Sequence, residues 1–335
     1  VSRSRRINRS LLTAAIVIVV LLAVGFAFIA TRSPVADEFV ESLATPVDQL
    51  SLLVHSPDGR YTAAGTALGQ VVIAHRIGDR VEWIDSGGEA PLTMLAFVSD
   101  ELLMSGDRTG LLQAWQLPEF EAVELVESLP ASVAMTCAAF RPVDSSVQMI
   151  LGLADGRLVT IDETGTRTRK SGHRGIKALI LSDRNATLIT AGTEGRIIWH
   201  DLEAERVSET RTEHQAEIPV LVLSPDGGRM ASADWDGEIR IWDPTSRKVL
   251  VKFDQPDAVS GLAWVSDFIV TGSWDGLVRV WRVSDSAAEL VTQFDTRRPV
   301  HALTVESASE RILTVSGGDS IDVWRLSSSD GLSEP

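Results

Sequence analysis

The side chains with the greatest chemical potential are six histidines, His55, His75, His173, His200, His214 and His301, and one cysteine, Cys137. No two histidines stand at a metal-ligand spacing such as H-x3-H, and one cysteine can form neither a thiolate cluster nor an intrachain disulfide. There is no G-x-S-x-G elbow, no phosphate-cradling G-x-x-x-x-G-K-[ST] loop and no G-x-G-x-x-G fingerprint between a strand and a helix. The acidic pairs Asp234/Asp236 and Glu119/Glu121 are of a type that binds calcium, but the fixed-spacing loop with its terminal Glu is missing. Gly87-Gly88 and Gly317-Gly318 read as turn glycines, and Cys137 as a small apolar residue in a strand. The expectation is a chain with no catalytic residue, no metal and no cofactor.

The elements that would carry these residues repeat from position 38 onward. A turn signal precedes a short apolar strand, then a glycine, then a second strand ending in Trp or a substitute. The clearest copies are 232–243 and 271–282, weaker ones run through 106–115, 152–161, 191–201 and 316–324, and the most degenerate is 65–75. The terminal position falls at His75, Trp115, Ile161, His200, Trp242, Trp281 and Trp324. A period near 40–45 residues built from four short strands is the signature of a β-propeller. Apolar and polar residues alternate in Ile239-Arg240-Ile241 and Val278-Arg279-Val280, which marks strands and not helices. The turns Ser56-Pro57-Asp58-Gly59 and Ser224-Pro225-Asp226-Gly227 supply a fixed φ and a positive φ.

These residues resemble the WD-repeat propellers, over about 290 of the 335 residues. The fifth unit matches the family's structural tetrad with His214, Ser232, Asp236 and Trp242, and the resemblance implies that they form one hydrogen-bonded chain within a blade. The sixth unit keeps Thr271, Asp275 and Trp281 without the histidine. The fourth offers His173, Thr190 and Glu194, with Trp199 one place early and His200-Asp201 where Trp-Asp is usual. His75 and His200 then read as packing residues at Trp positions. Trp235 and Trp274 come directly before the turn Asp in adjacent units, with Arg108 and Thr193 in comparable places. The resemblance puts this position on one rim face beside the channel mouth, where family members often contact ligands. Two exposed indoles would anchor a partner, since Trp and Arg are enriched in interface hot spots. The competing reading lays each indole flat across its own blade top as packing.

Ring closure has its own signal. Val40-Glu41-Ser42-Leu43 recurs as Val126-Glu127-Ser128-Leu129 where an outer strand belongs, while the chain after Leu326 is Ser-rich and polar. The segment around Phe39–Leu43 is therefore expected to complete the last blade.

Residues 11–30 are twenty uncharged, largely apolar residues, long enough as a helix to span about 30 Å of hydrocarbon. Arg3, Arg5, Arg6 and Arg9 precede them and Asp37, Glu38 and Glu41 follow. The positive-inside bias predicts a cytoplasmic N-terminus and a propeller in the periplasm or cell exterior, close to the bilayer. The opening Val is compatible with a bacterial alternative start codon or a trimmed chain. The expected organisation is a basic tail at 1–10, a transmembrane helix at 11–30, a linker at 31–37, a seven-bladed all-β propeller at 38–326 and a polar tail at 327–335.

The charge is −15 overall. The first 35 residues hold five arginines and no acid, which leaves 26 basic against 46 acidic side chains in the remainder. Such a surface repels phosphate backbones, so nucleic acid is not an expected partner. The leading expectation is a bacterial scaffold anchored in the cytoplasmic membrane, holding membrane-associated protein partners through its propeller loops. Alternatives are an extracytoplasmic propeller hydrolase or cofactor-dependent dehydrogenase, and a small-ligand sensor.

Overall fold

The computed structural model describes residues 34–328 apart from 78–79, 87–89, 118–120, 125–132, 144–145, 183–186, 205, 307–310 and 318. Its strands form seven four-stranded antiparallel sheets, six of them meanders of consecutive strands. The third strands are Val71–Ile77, Leu112–Gln116, Arg157–Asp162, Arg196–Asp201, Glu238–Asp243, Leu277–Val283 and Ser320–Ser328. Each contains one of the seven repeat-ending positions. The first strands are Leu50–His55, Leu92–Ser99, Met135–Val143, Ile176–Ser182, Val220–Leu223, Val259–Val265 and Val300–Glu306. They contact one another in a complete circuit, the last touching the first, so they line the axis of a closed ring.

The fourth strand of blade 7 comes from the start of the described chain. Pro34–Ala44 pairs antiparallel with Ser320–Ser328, from Pro34↔Ser328 to Ala44↔Ser320. Phe39 meets the Trp324 ring edge-on at 5.2 Å, and the Ser42 hydroxyl donates to Asp322 at 2.7 Å. This strand begins inside the segment expected to be a linker. The repeat at 126–129 lies outside the described residues.

The core is divided among the junctions between blades. Among the described residues there are seven buried apolar clusters, one for each pair of neighbouring blades. Ala231, Ile239 and Ile241 of blade 5 pack on Leu262, Ile269 and Trp281 of blade 6. The junction that closes the ring holds Leu313, Val315, Ile321 and Val323 of blade 7 against Leu50, Leu53, Ala64 and Val72 of blade 1. At roughly 25 cal/mol per Å² of apolar area removed from water, such seams are what stabilises the ring.

One correction concerns the membrane. The basic tail at 1–10 and the helix expected at 11–30 lie outside the described residues. Among the described residues every regular element is a strand, and no helix is long and apolar enough to cross a membrane. Among the described residues, the expected propeller-plus-membrane-helix is corrected to an all-β seven-bladed propeller. The signal anchor, the single-pass inner-membrane location and the membrane-associated partners rested on that helix, and nothing among the described residues supports them.

Glycines fix the turn between second and third strands. Gly69, Gly156, Gly195 and Gly237 all have positive φ. A Cβ on Gly237 would lie 2.2 Å from the Gln255 carbonyl oxygen of the neighbouring loop. Gly227 also has positive φ, but nothing lies within 4 Å of its Cβ position. Gly237→Ala is expected to lower unfolding stability by about 2–4 kcal/mol, from both strain and overlap, and Gly227→Ala by only about 1 kcal/mol. Urea titration of the two variants checks this.

Candidate functional site

Blades 4 and 5 each contain a buried polar chain that begins at the third strand and ends on a carboxylate. In blade 5 the Trp242 Nε1–H donates to the Ser232 hydroxyl at 2.8 Å. His214 Nε2 lies 2.7 Å from the same hydroxyl, and His214 Nδ1 lies 2.9 Å from Asp234 Oδ2. Directionality follows from the ends. The indole can only donate and the carboxylate only accept, so Ser232 donates to Nε2 and Nδ1–H donates to Asp234.

The acid of this chain is Asp234, which corrects the expected Asp236. Asp234 Oδ1 accepts the backbone N–H groups of Asp236 and Glu238, two and four residues on. That double bond tucks its carboxylate beneath the turn, facing His214, and leaves Asp236 exposed at the turn's tip. Asp107 in blade 2 does the same with Thr109 and Leu111. The shared Ser-x-Asp spacing at 105–107 and 232–234 is the sequence signal that identifies it. Burial alone would raise the Asp234 carboxyl, but hydrogen bonds from His214 and the turn amides outweigh this and hold it below the usual range.

In blade 4 the position two residues past the hydroxyl is Gly192. A Cβ there would lie 2.4 Å from His173 Nδ1, so the imidazole occupies that space. Glu194, four residues past Thr190 and one methylene longer than Asp, reaches His173 Nδ1 at 2.6 Å. His173 Nε2 lies 2.9 Å from the Thr190 hydroxyl, and His200 Nε2 lies 2.8 Å from it. His200 thus takes the hydrogen-bonding place of the Trp ring nitrogen. Trp199, one residue early, points to the other face and packs edge-on against Trp242 at 5.9 Å. Blade 6 replaces the histidine with Gln255, whose Oε1 accepts from the Thr271 hydroxyl at 2.8 Å, while Asp275 binds Arg279 instead.

His214, Asp234 and Glu238 offer ligand atoms within 4.8 Å of one another, the geometry of a cation site. Both His214 nitrogens already face Ser232 and Asp234, and Glu238 is ion-paired with Arg240 and Lys252. The cluster is the end of a hydrogen-bond chain. Cys137 packs its sulfur over Gly152, and burial pushes its thiol up to about 12, far from thiolate reactivity.

The rim gathers the other expected residues. Arg108, Thr193, Trp235 and Trp274 are all exposed and occupy the same place in the second-to-third-strand turns of blades 2, 4, 5 and 6. Each donates its backbone N–H to a carbonyl just before the first strand: Pro91, Gly175, Glu217 and Ala258. Trp235 and Trp274 are 45% and 44% exposed, and their rings meet across the blade boundary at 5.4 Å. His301 of blade 7 extends the row, its ring 6.4 Å from Trp274.

Sequence reading missed the channel mouth. Ser51, Thr93, Thr136, Lys177, Ser260 and His301 each sit at a break in register between first and second strands. The hydroxyl of Thr136 spans two blades, donating to Gly152 O at 3.0 Å and Ile176 O at 2.7 Å. The Ser260 hydroxyl likewise reaches Gly272 O and Val300 O. Lys177 pairs with Glu217 at 2.9 Å. None of these six positions carries a carboxylate.

Two expectations follow from the polar chains. Asp234→Ala should cost about 2–4 kcal/mol of unfolding stability by orphaning His214 and two amides, and Asp236→Ala less than about 0.5 kcal/mol. The second concerns acid. Burial holds His200 down to about 3 and also lowers His173, so both are neutral in the fold while the unfolded chain titrates near 6.5. Their contribution is complete above that value and is lost as pH falls through 6.5 toward 3, at about 1 kcal/mol per pH unit for His200. Replacing His200 with Trp, the residue of blades 5 and 6, should flatten the loss, as read by urea unfolding at neutral pH and at mildly acidic pH.

A family model described as the anaphase-promoting complex subunit 4 WD40 domain matches residues 181–267, which include both polar chains of blades 4 and 5 apart from His173. Actin-interacting protein 1 of Drosophila melanogaster is 26% identical over 57% of this chain and 33% of its own length. A 66 kDa stress protein of Physarum polycephalum is 36% identical over 34% of this chain and 19% of its own length. The chain spans less than half the length of either relative. Among solved structures, a chain of a mitotic checkpoint complex superposes with a TM-score of 0.77 at 15% identity, covering 90% of this chain and 99% of that one. The WD40 repeats of RRP9 give 0.77 at 18% identity, covering 88% and 100%. None of these proteins is named as an enzyme. The relatives come from eukaryotes, which corrects the bacterial expectation, and the chain is similar throughout its described ring to seven-bladed WD40 propellers.

Proposed function

We propose that the chain is a protein-binding scaffold of the WD40 type whose partner face is the rim carrying Trp235 and Trp274. The observation that carries this reading is the pair of touching indoles, each nearly half exposed on adjacent blades. Single exposed apolar residues are ordinary, but contiguous aromatic surface on a rigid frame marks a contact site. The turn glycines and the backbone bonds beneath fix both indoles before any partner arrives, so little ordering entropy is lost on docking. Arg108 and Thr193 belong to the same rim and extend the proposed face toward blades 2 and 4. His301 continues it into blade 7. The similarity to a mitotic checkpoint complex chain and to an actin-interacting protein supports a role in protein assembly. The partner of this chain is set by its own rim.

The test is crosslinking of the full chain in cells that express it, followed by identification of the captured proteins. The Trp235→Ala/Trp274→Ala variant is expected to lose the principal partner, with affinity reduced by about 30-fold or more and unchanged thermal unfolding. A partner set identical to that of the unaltered chain would place the interface elsewhere.

A further inference from the structure

The flank of the ring between blades 4 and 5 carries a feature of opposite charge to the rest of the molecule. There the fourth strand of blade 4, Arg206–Thr212, faces the third and fourth strands of blade 5, Glu238–Asp243 and Lys248–Asp254. They border a cleft of about 350 Å³ lined by Arg211, Glu213, Arg240, Trp242, Arg247 and Lys248. Four cations and one carboxylate form its walls, in a chain whose net charge is −15.

The cations are not equally engaged. Arg240 is committed to the wall: its Nη1 donates to Glu213 Oε2 at 2.9 Å, its Nη2 to Glu213 O at 2.6 Å, and its Nε to Glu238. Arg211 and Arg247 share a single carboxylate. Glu209 accepts Arg211 Nη2 on Oε1 at 2.5 Å and Arg247 Nη1 on Oε2 at 2.9 Å. The bond from Arg247, followed by the charge of Arg211, holds the Glu209 carboxyl below its ordinary range. It therefore stays ionised and keeps the two guanidiniums on either side of it. Lys248 has no ion pair within 4 Å among the described residues. The nearby Asp243 is turned into its own turn, accepting the amides of Thr245 and Ser246. Arg211, Arg247 and Lys248 against Glu209 and Asp243 leave an excess of one positive charge at the opening.

A second observation points the same way. Arg211 Nε is buried and has no acceptor among the described residues. A guanidinium has five N–H donors in a fixed fork, and the Arg211 side chain, 42% exposed and tied to Glu209 through Nη2 alone, keeps donors open to an oxygen. One carboxylate would supply two oxygens and one charge. Three cationic donor groups around one opening match an anion with three acceptor oxygens, as a phosphate offers.

We infer that this cleft binds a phosphate monoester or phosphate dianion, held by the forks of Arg211 and Arg247 and by Lys248. Glu209 spaces the two forks, and Arg240 with Glu213 supports the wall behind them. The site is on the ring's flank and is independent of the rim tryptophans, so a partner can occupy one without the other.

The test is isothermal titration of the full chain with inorganic phosphate, with N-acetyl-phosphoserine amide and with N-acetyl-serine amide. Saturable binding of at least one phosphate probe is expected, weakening with added salt. Arg211→Ala/Lys248→Ala should weaken it at least about tenfold, and Arg247→Lys, which keeps the charge and loses the fork, should weaken it less. Trp235→Ala/Trp274→Ala should leave it unchanged, so failure of the rim reading and failure of this one are separable. Tighter binding of inorganic phosphate identifies a free anion as the occupant, and tighter binding of the phosphoserine amide identifies a modified side chain of a partner. No saturable binding of either probe overturns the site. So does equal binding of the unphosphorylated amide, or unchanged affinity in both cleft variants when circular dichroism shows them folded.

Discussion

A four-stranded sheet whose two faces are both apolar or hydrogen-bonded inward has no stable existence alone, and everything else in this molecule follows from that constraint. Each blade buries one face against the blade before it and one against the blade after. Ile239 and Ile241 turn toward blade 6, while Met230 and Trp242 of the same blade turn toward blade 4. The core is therefore a circle of seams with no centre. Such a circle is satisfied only when it closes, which is why the strand Pro34–Ala44 matters out of proportion to its length. It covers the last third strand, sets Phe39 edge-on against Trp324 and removes an open sheet edge.

The buried polar chains answer a second demand of the same geometry. A third strand with both faces inside must place its polar atoms somewhere, and the chains from Trp242 to Asp234 and from His200 to Glu194 do so with donors and acceptors in strict sequence. The ring nitrogen gives to a hydroxyl, the hydroxyl to an imidazole, and the imidazole to a carboxylate that the next turn's amides or side chains also hold. One blade is tied by this route from its third strand to the loop that enters its first. Where one member changes, the neighbours adjust within reach: Glu194 compensates for Gly192, and Gln255 for the missing histidine.

The repeat was legible because it is enforced at every seam. All seven repeat-ending positions lie in third strands, and closure by the N-terminal segment could be read from four residues near Phe39. What the alternation meant was less legible. Arg240 and Arg279 occupy the polar places of the pattern, yet both are buried, paired with Glu213 and Glu238 or with Asp275. Period two specifies a strand, but in a propeller it does not separate core from solvent. Asp234 and Asp236 were indistinguishable by composition, and the Ser-x-Asp spacing shared with blade 2, together with the turn's amide bonds, decides between them. The flank cleft joins Arg211 to Arg247 and Lys248 from different blades, a proximity that no local pattern encodes. The apolar run at 11–30 carried the membrane reading, and it is a run that the described ring neither contains nor needs.

The rim position deserves its weight because the fold is indifferent to its side chain. Ala67, Arg108, Ala154, Thr193, Trp235 and Trp274 all make the same backbone bond, N–H to a carbonyl before the first strand. Alanine satisfies that bond as well as tryptophan does. A large indole left nearly half in water rests on contacts with its neighbours, the other indole and, for Trp274, His301. That mutual contact is itself incomplete, because each ring keeps an open surface. Two exposed indoles that the backbone bond does not require, placed side by side on adjacent blades, are the ground on which the proposed partner face is set.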